Sequence, residues 1–150
     1  MDDLSELYQQ VILDHNRRPR NFGKLDGATA KADGHNPMCG DRVTVHVRIE
    51  GDRIAGISFE GTGCAISKAS ASLMTGAVAG KPVNEAEDLF RRFQALVTGD
   101  PGAAAKAAEL GSLAALGGVR AFPARIKCAI LAWHALHAAV SSNEGSISTE

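Results

Sequence analysis

Between Asp41 and Gly61 the chain reads with a period of two, and nothing else in it restricts the fold so tightly. Val43, Val45, Val47 and Ile49 fall on one side, with Arg42, Thr44, His46 and Arg48 on the other, the pattern of a half-buried strand. Gly51-Asp52 supplies a turn, and Ile57 and Phe59 carry the apolar face into a second strand, so the pair predicts an antiparallel hairpin. A weaker pattern around Ala28 to Ala32 suggests a third strand. His46 lies on the polar face and is expected to be a solvated strand residue. The rest of the chain reads as helix, which predicts an α+β fold: a small antiparallel three-stranded sheet packed against several helices, with any site at one end of the sheet.

The hairpin brings its two ends together, and those ends carry chemistry. Before it stands Asn36-Pro37-Met38-Cys39-Gly40-Asp41, a thiol and a carboxylate two residues apart. Asn-Pro marks a turn, since proline fixes its own φ and restricts the residue before it. Gly40 then frees the backbone so that Cys39 and Asp41 can reach one ion. After the hairpin come Gly61-Thr62-Gly63-Cys64 and a helix of small residues, expected from Ala65 to Ala79. Cys64 beside that helix N-terminus is favoured as thiolate by the exposed N–H groups and the dipole. Gly61-Thr62-Gly63 lacks the further glycines or the Gly-Lys-Ser/Thr ending of a phosphate loop.

The remaining cysteine, Cys128, lies in a last helix opened by Phe122-Pro123, where proline suits the first turn. A lone helical cysteine is by default a small core residue. Arg125 on its face and Lys127 beside it offer the positive charge that a thiolate needs. Cys39, Asp41, Cys64 and Cys128 together make three soft thiolates and one hard carboxylate, a set suited to tetrahedral zinc. Their four negative charges exceed the two on the ion, and Arg125 and Lys127 are placed to offset the difference. Gaps of 25 residues from Cys39 to Cys64 and 64 from Cys64 to Cys128 are not zinc-finger spacings, so the cysteine arithmetic alone is a weak signal.

Other candidates carry blander readings. The first helix, with Leu4, Leu7, Tyr8, Val11, Ile12 and His15 at helical spacing, ends before Pro19, and a histidine at a helix end is usually structural. Arg17, Arg18, Arg20 and Lys24 are either a solvated face or a patch for an acidic partner protein. Ser70 and Ser72 have no paired base and read as packing. His134 and His137, three apart, offer a second metal pair or ordinary surface positions.

At 150 residues the chain is expected to form one domain, 1–150, large enough to bury a core without staples, so a metal here is functional rather than a substitute for packing. A helical insertion is expected at about 81–102, a short alanine-rich helix to about Ala115 with a break at Gly117-Gly118, and a flexible tail at about 141–150. With 16 Lys+Arg against 17 Asp+Glu, no overall field favours nucleic acid or an acidic membrane. An odd count of 3 cysteines, an acidic start and no apolar run of spanning length point to a cytoplasmic protein with reduced thiols.

Taken together, Tyr8, Ile12, Asp14-His15, Pro19-Arg20-Asn21-Phe22-Gly23, Asn36-Pro37-Met38-Cys39-Gly40-Asp41, Gly61-Thr62-Gly63-Cys64-Ala65-Ile66-Ser67 and Arg125-Ile126-Lys127-Cys128 resemble the iron-sulfur cluster assembly proteins of the NifU N-terminal, IscU and SufU kind. Scaffold members of the IscU kind carry a histidine where this chain has Lys127, and a shorter stretch between the second and third cysteines. Both departures look like the SufU subgroup, and the Leu-Pro-Pro-Val-Lys chaperone motif of the scaffolds is missing. The resemblance implies zinc-dependent sulfur transfer: a pyridoxal-phosphate cysteine desulfurase of the SufS kind makes a persulfide, and this protein takes up the sulfur and passes it to a downstream iron-sulfur scaffold. It favours Cys39 as acceptor, with Asp41, Cys64 and Cys128 on the ion and Arg125 as charge support. Three alternatives stay open: a scaffold on which an iron-sulfur cluster is assembled and passed on, a structural zinc domain, and a thiol hydrolase.

Overall fold

The computed structural model describes residues 3–100, 102, 107–141 and 146–148. In chain order the elements are α1 (Asp3–Arg17), β1 (Ala30–Asn36), β2 (Asp41–Glu50), β3 (Arg53–Thr62), α2 (Ala65–Val78), α3 (Val83–Val97), a 3-10 run (Ala107–Ala121), α4 (Pro123–Val140) and β4 (Ser146–Ser148). The sheet runs β3-β2-β1-β4, with β1, β2 and β3 antiparallel and β4 added in parallel to the edge of β1. The alternating valines behave as their spacing predicts: Val43, Val45 and Val47 are buried, and Ile57 and Phe59 extend the same apolar face.

Strand β1 is longer than its sequence pattern suggested and reaches Asn36. Its inward positions are Ala32, Gly34 and Asn36, too small or too polar to register as an apolar stripe, yet all are buried. They are small because α4 packs directly over them, with Leu131 against Gly34. His46 is not solvated. It lies on the middle strand, flanked in register by Lys31 and Ser58, is 8% exposed, and its Nε2 stands 2.9 Å from Glu60 Oε1.

Helix α4 is apolar nearly all round because it is the centre of the helical layer. Ile130, Leu131, Trp133 and Leu136 are buried, and the helix packs on β1, β2, α2, α3 and the 3-10 run. Trp133 is fully buried and stacks on Phe93 of α3 at 4.9 Å between centroids, an arrangement favoured by the ring quadrupoles. Its indole N–H donates to Ser70 Oγ at 3.3 Å, and that hydroxyl donates in turn to the carbonyl of Ala129, so the polar groups in this core are paired. Phe90 and Phe93 thus draw α3, within the segment 81–102, onto the core of the domain.

The expected break at Gly117-Gly118 does not occur. The helical run continues to Ala121, and its non-helical residue is Gly111. Gly117 is buried against Leu96, where even a Cβ would come within 3.3 Å of a methyl carbon, so this glycine serves close packing. Of the tail beyond about 141, Ser146–Ser148 pairs with β1, and the rest lies outside the described residues.

Helix α1 ends at Arg17, ahead of Pro19, and lays Val11 and Ile12 against the core. The side chains of Leu4 and Leu7 lie outside the described residues. His15 is an anchor: its Nδ1 is 2.7 Å from Ser72 Oγ, which also accepts the Arg20 backbone N–H at 2.8 Å. Asn21 adds a bond to Thr75 Oγ1, and Phe22 sits edge-on to Phe59 at 5.2 Å. The loop after α1 is thereby fastened to α2 and to β3.

Two expectations follow. Phe93→Ala removes one side of the Trp133 stack and leaves a cavity, so the denaturant midpoint should fall by the equivalent of about 3–5 kcal/mol. Burial holds His15 below its ordinary value of 6.5, with the charge of Arg20 adding to this and Asp14 opposing it; burial does the same to His134, aided by His137. The unfolded chain therefore binds more protons, so stability is intact above 6.5 and declines as the pH falls through that value toward the folded-state values. Urea midpoints at pH about 7.5 and about 5.5 should differ in that direction, and a His15→Gln/His134→Phe variant should flatten the dependence.

Candidate metal centre

Three elements meet at one end of the sheet. The loop between β1 and β2 is closed by the register pair Asn36 and Asp41, so Cys39 rides on a four-residue tip, Pro37 to Gly40. The Cys39 N–H donates to the Asn36 carbonyl at 3.3 Å, and Gly40 takes a φ of 72°, a region costly for a residue with a Cβ. This turn, rather than strand alternation, aims Cys39 and Asp41 at the same point. Strand β3 ends beside it and delivers Cys64 as the residue before α2, where its sulfur accepts the Ser67 N–H at 3.4 Å. Cys128 comes from the second turn of α4 and is 2% exposed.

The ligating atoms of Cys39, Asp41 and Cys128 all lie within 4.8 Å of one another, the single group of this kind among the described residues. Cys64 Sγ lies 4.0 Å from Asp41 Oδ2. Two thiolates on one tetrahedral zinc stand about 3.8 Å apart, as follows from a zinc–sulfur bond of about 2.3 Å. Cys39, Asp41 and Cys128 are thus close enough to share one metal ion and are of a donor chemistry that suits zinc, while Cys64 stands outside that group, beside Asp41. Asp41 is wholly buried and divides its oxygens: Oδ1 accepts the Cys64 backbone N–H at 2.8 Å, while Oδ2 faces Cys64 Sγ and the Asn36 amide. Gly63 lies so close to this carboxylate that a Cβ would collide with Oδ1, which is the physical need behind the second glycine of Gly61-Thr62-Gly63.

Electrostatically the cluster is crowded with acids. Burial pushes the Cys128 thiol far above its ordinary value, and Asp41, Cys39 and Cys64 push it further. A dication held by these groups would reverse that balance and favour the thiolate form of the sulfurs. Burial grades the three thiols: Cys39 is exposed, Cys64 intermediate and Cys128 buried.

The cations lie at the rim. The Arg125 guanidinium packs over the Phe122 ring at 5.1 Å, and Lys127 Nζ reaches to 3.8 Å from Met38 Sδ on the hairpin tip. Met38 and Phe122 are large apolar side chains that remain exposed here. His134 and His137 are not part of the ligand group at the sheet end; His137 Nδ1 lies 2.8 Å from Glu87 and His134 sits edge-on to Phe90. Arg20 is engaged with Asp14 at 2.6 Å, leaving it a structural partner of α1. Sequence reading assigned Asn36 only to a turn, yet it is fully buried with its amide nitrogen 3.6 Å from Cys128 Sγ. The signal was its place opposite Asp41 across the loop, which only a known register reveals.

Comparison with known proteins gives the family. The chain is 43% identical to a protein named zinc-dependent sulfurtransferase SufU from Bacillus subtilis (strain 168), covering 95% of both chains. It is 45% identical to one named iron-sulfur cluster assembly scaffold protein IscU from Streptococcus pyogenes serotype M1, covering 93% of this chain and 86% of that one. Among solved structures, a candidate iron-sulfur cluster assembly scaffold protein for the SUF system from Fervidobacterium islandicum AW-1 superposes with a TM-score of 0.79 at 32% identity, covering 90% of this chain and 97% of that one. Residues 7–129 match the model of the NifU-like N terminal domain, and with a buried carboxylate and thiols gathered at its sheet end the chain belongs to that family.

Proposed function

We propose that this protein serves iron-sulfur cluster assembly as a zinc-dependent sulfur acceptor, taking persulfide sulfur from a cysteine desulfurase on Cys39. The observation that carries the reading is the gradation of burial within one ligand cluster. Cys39 is exposed on a turn, while Asp41 and Cys128 beside it are buried. A partner can therefore reach one thiol without dismantling the rest. Cys39, Asp41, Cys64 and Cys128 would hold zinc, which supplies a redox-inactive positive charge that keeps thiols deprotonated at neutral pH.

The transfer itself is a thiol exchange at sulfur. The Cys39 thiolate attacks the outer sulfur of the desulfurase persulfide, a new S–S bond forms on Cys39, and the bond to the donor cysteine breaks. The donor leaves as thiolate, so no oxidant or reductant is consumed. Cys39 is exposed on the turn that Gly40 closes, whereas the Asp41 carboxylate accepts the Cys64 N–H. Arg125 and Lys127, at the rim, supply positive charge toward an approaching anionic persulfide. The resemblance suggests a desulfurase of the SufS kind as donor and an iron-sulfur scaffold as recipient.

A scaffold role is the second reading, favoured by relatives named as IscU scaffolds at comparable identity. Cysteine thiolates with one aspartate suit an iron-sulfur cluster as well as zinc. Lys127, where scaffold members of the IscU kind have histidine, supports the sulfur-acceptor reading over it.

Alanine release from cysteine by a SufS-type desulfurase should rise when the zinc-loaded protein is added and not with the metal-free form. Cys39→Ala should abolish sulfur uptake, measured by mass spectrometry of the protein; uptake at the unmutated rate would sink the assignment. If the metal-free form stimulates equally, and iron with sulfide builds a cluster on it, the scaffold reading replaces this one. Zinc removal by a chelator should leave the far-ultraviolet circular dichroism largely intact, because the core around Trp133 does not involve the site.

A further inference from the structure

We infer that Asn36 is a positioning residue of the metal centre, acting through its side-chain amide on Asp41 and Cys128. Its side chain is wholly buried, with Nδ2 3.5 Å from Asp41 Oδ2 and 3.6 Å from Cys128 Sγ. Both neighbours are acceptors when ionised, so the amide must present its NH2 group to them. The consequence is visible at the other end of the group: Asn36 Oδ1 is buried without a hydrogen-bond partner. A buried amide that leaves its oxygen unpaired adds little to the fold that an apolar side chain of its size would not. Its orientation is explained by what its nitrogen faces.

The inference rests on the metal reading of Cys39, Asp41, Cys64 and Cys128. Three thiolates and a carboxylate carry two more negative charges than zinc neutralises, and the described cations lie at the rim rather than among the ligands. An N–H directed at the most buried sulfur, and at the carboxylate oxygen that faces the thiols, offsets part of that excess. It also holds the two ligands contributed by β2 and α4 in one orientation, the role that outer hydrogen bonds play for metal ligands generally. The backbone of Asn36 has separate duties, pairing with Asp41 and accepting the Cys39 N–H, and these survive a change of side chain.

Asn36→Ala deletes the donor, and Asn36→Asp keeps the size while replacing the donor by an acceptor. Zinc affinity, from competition with a chromophoric chelator, should fall by about 10–100-fold in Asn36→Ala and at least as far in Asn36→Asp. In the cobalt-substituted protein the thiolate-to-metal charge-transfer absorption should move to longer wavelength, since a sulfur lone pair loses an N–H bond. Thermal melting of each metal-free variant separates this from a folding defect. Unchanged zinc affinity and an unshifted cobalt spectrum in a folded variant would overturn the role of Asn36. If one variant fails to fold, the other decides. Failure of the unmutated protein to bind either metal would instead overturn the metal reading itself.

Discussion

The buried carboxylate of Asp41 is the joint on which the site end of this molecule depends. A carboxylate with no exposure is costly unless donors meet it, and here the donors come from elements that are distant in sequence. The backbone N–H of Cys64 binds one oxygen and so fixes the start of α2 to the start of β2. The Asn36 amide stands near the other and reaches Cys128 as well, which relates the hairpin to α4. Gly63 is bare because a side chain there would displace this carboxylate. The geometry of the cluster is thus a consequence of satisfying one buried anion.

Stability is concentrated elsewhere. The stack of Trp133 on Phe93, the valines of β2 and the small residues of α2 lie along the middle of α4, and the Ser70 hydroxyl satisfies the polar groups among them. Cys128 occupies the helix's second turn, at the margin of that core, and Cys39 stands beyond it on an exposed turn. The anchoring of the loop after α1, through His15, Arg20 and Asn21 on Ser72 and Thr75, keeps the outer side of α2 equally firm.

The same donor set accommodates two chemistries, zinc-bound thiolates and an iron-sulfur cluster, because both ask for soft sulfur and tolerate an oxygen ligand. The groups around the ligands in this chain are Lys127, which reaches over the hairpin tip to Met38, Arg125 on Phe122, and the exposed apolar pair Met38 and Phe122.

The period-two run from Val43 to Ile49, the turn at Gly51-Asp52 and the helix boundaries at Pro19 and Pro123 are local properties, so the sequence by itself determined them, whereas Cys39, Asp41 and Cys128, which the sequence offers as ligand candidates together with Cys64, meet only in the folded chain. Periodicity failed where contact rather than composition sets the residue type. β1 carries no apolar stripe because α4 demands small inward side chains, and Gly117 marks close packing on Leu96 rather than a break. Alternation assigns His46 to the polar face but does not encode that Glu60 and two flanking strands cover it. The distances among the ligands, the burial order of the thiols and the approach of the Asn36 amide to Cys128 were decided by tertiary structure alone. They join residues up to 92 positions apart, and no local pattern encodes a relation that arises only when α4 closes over the sheet end.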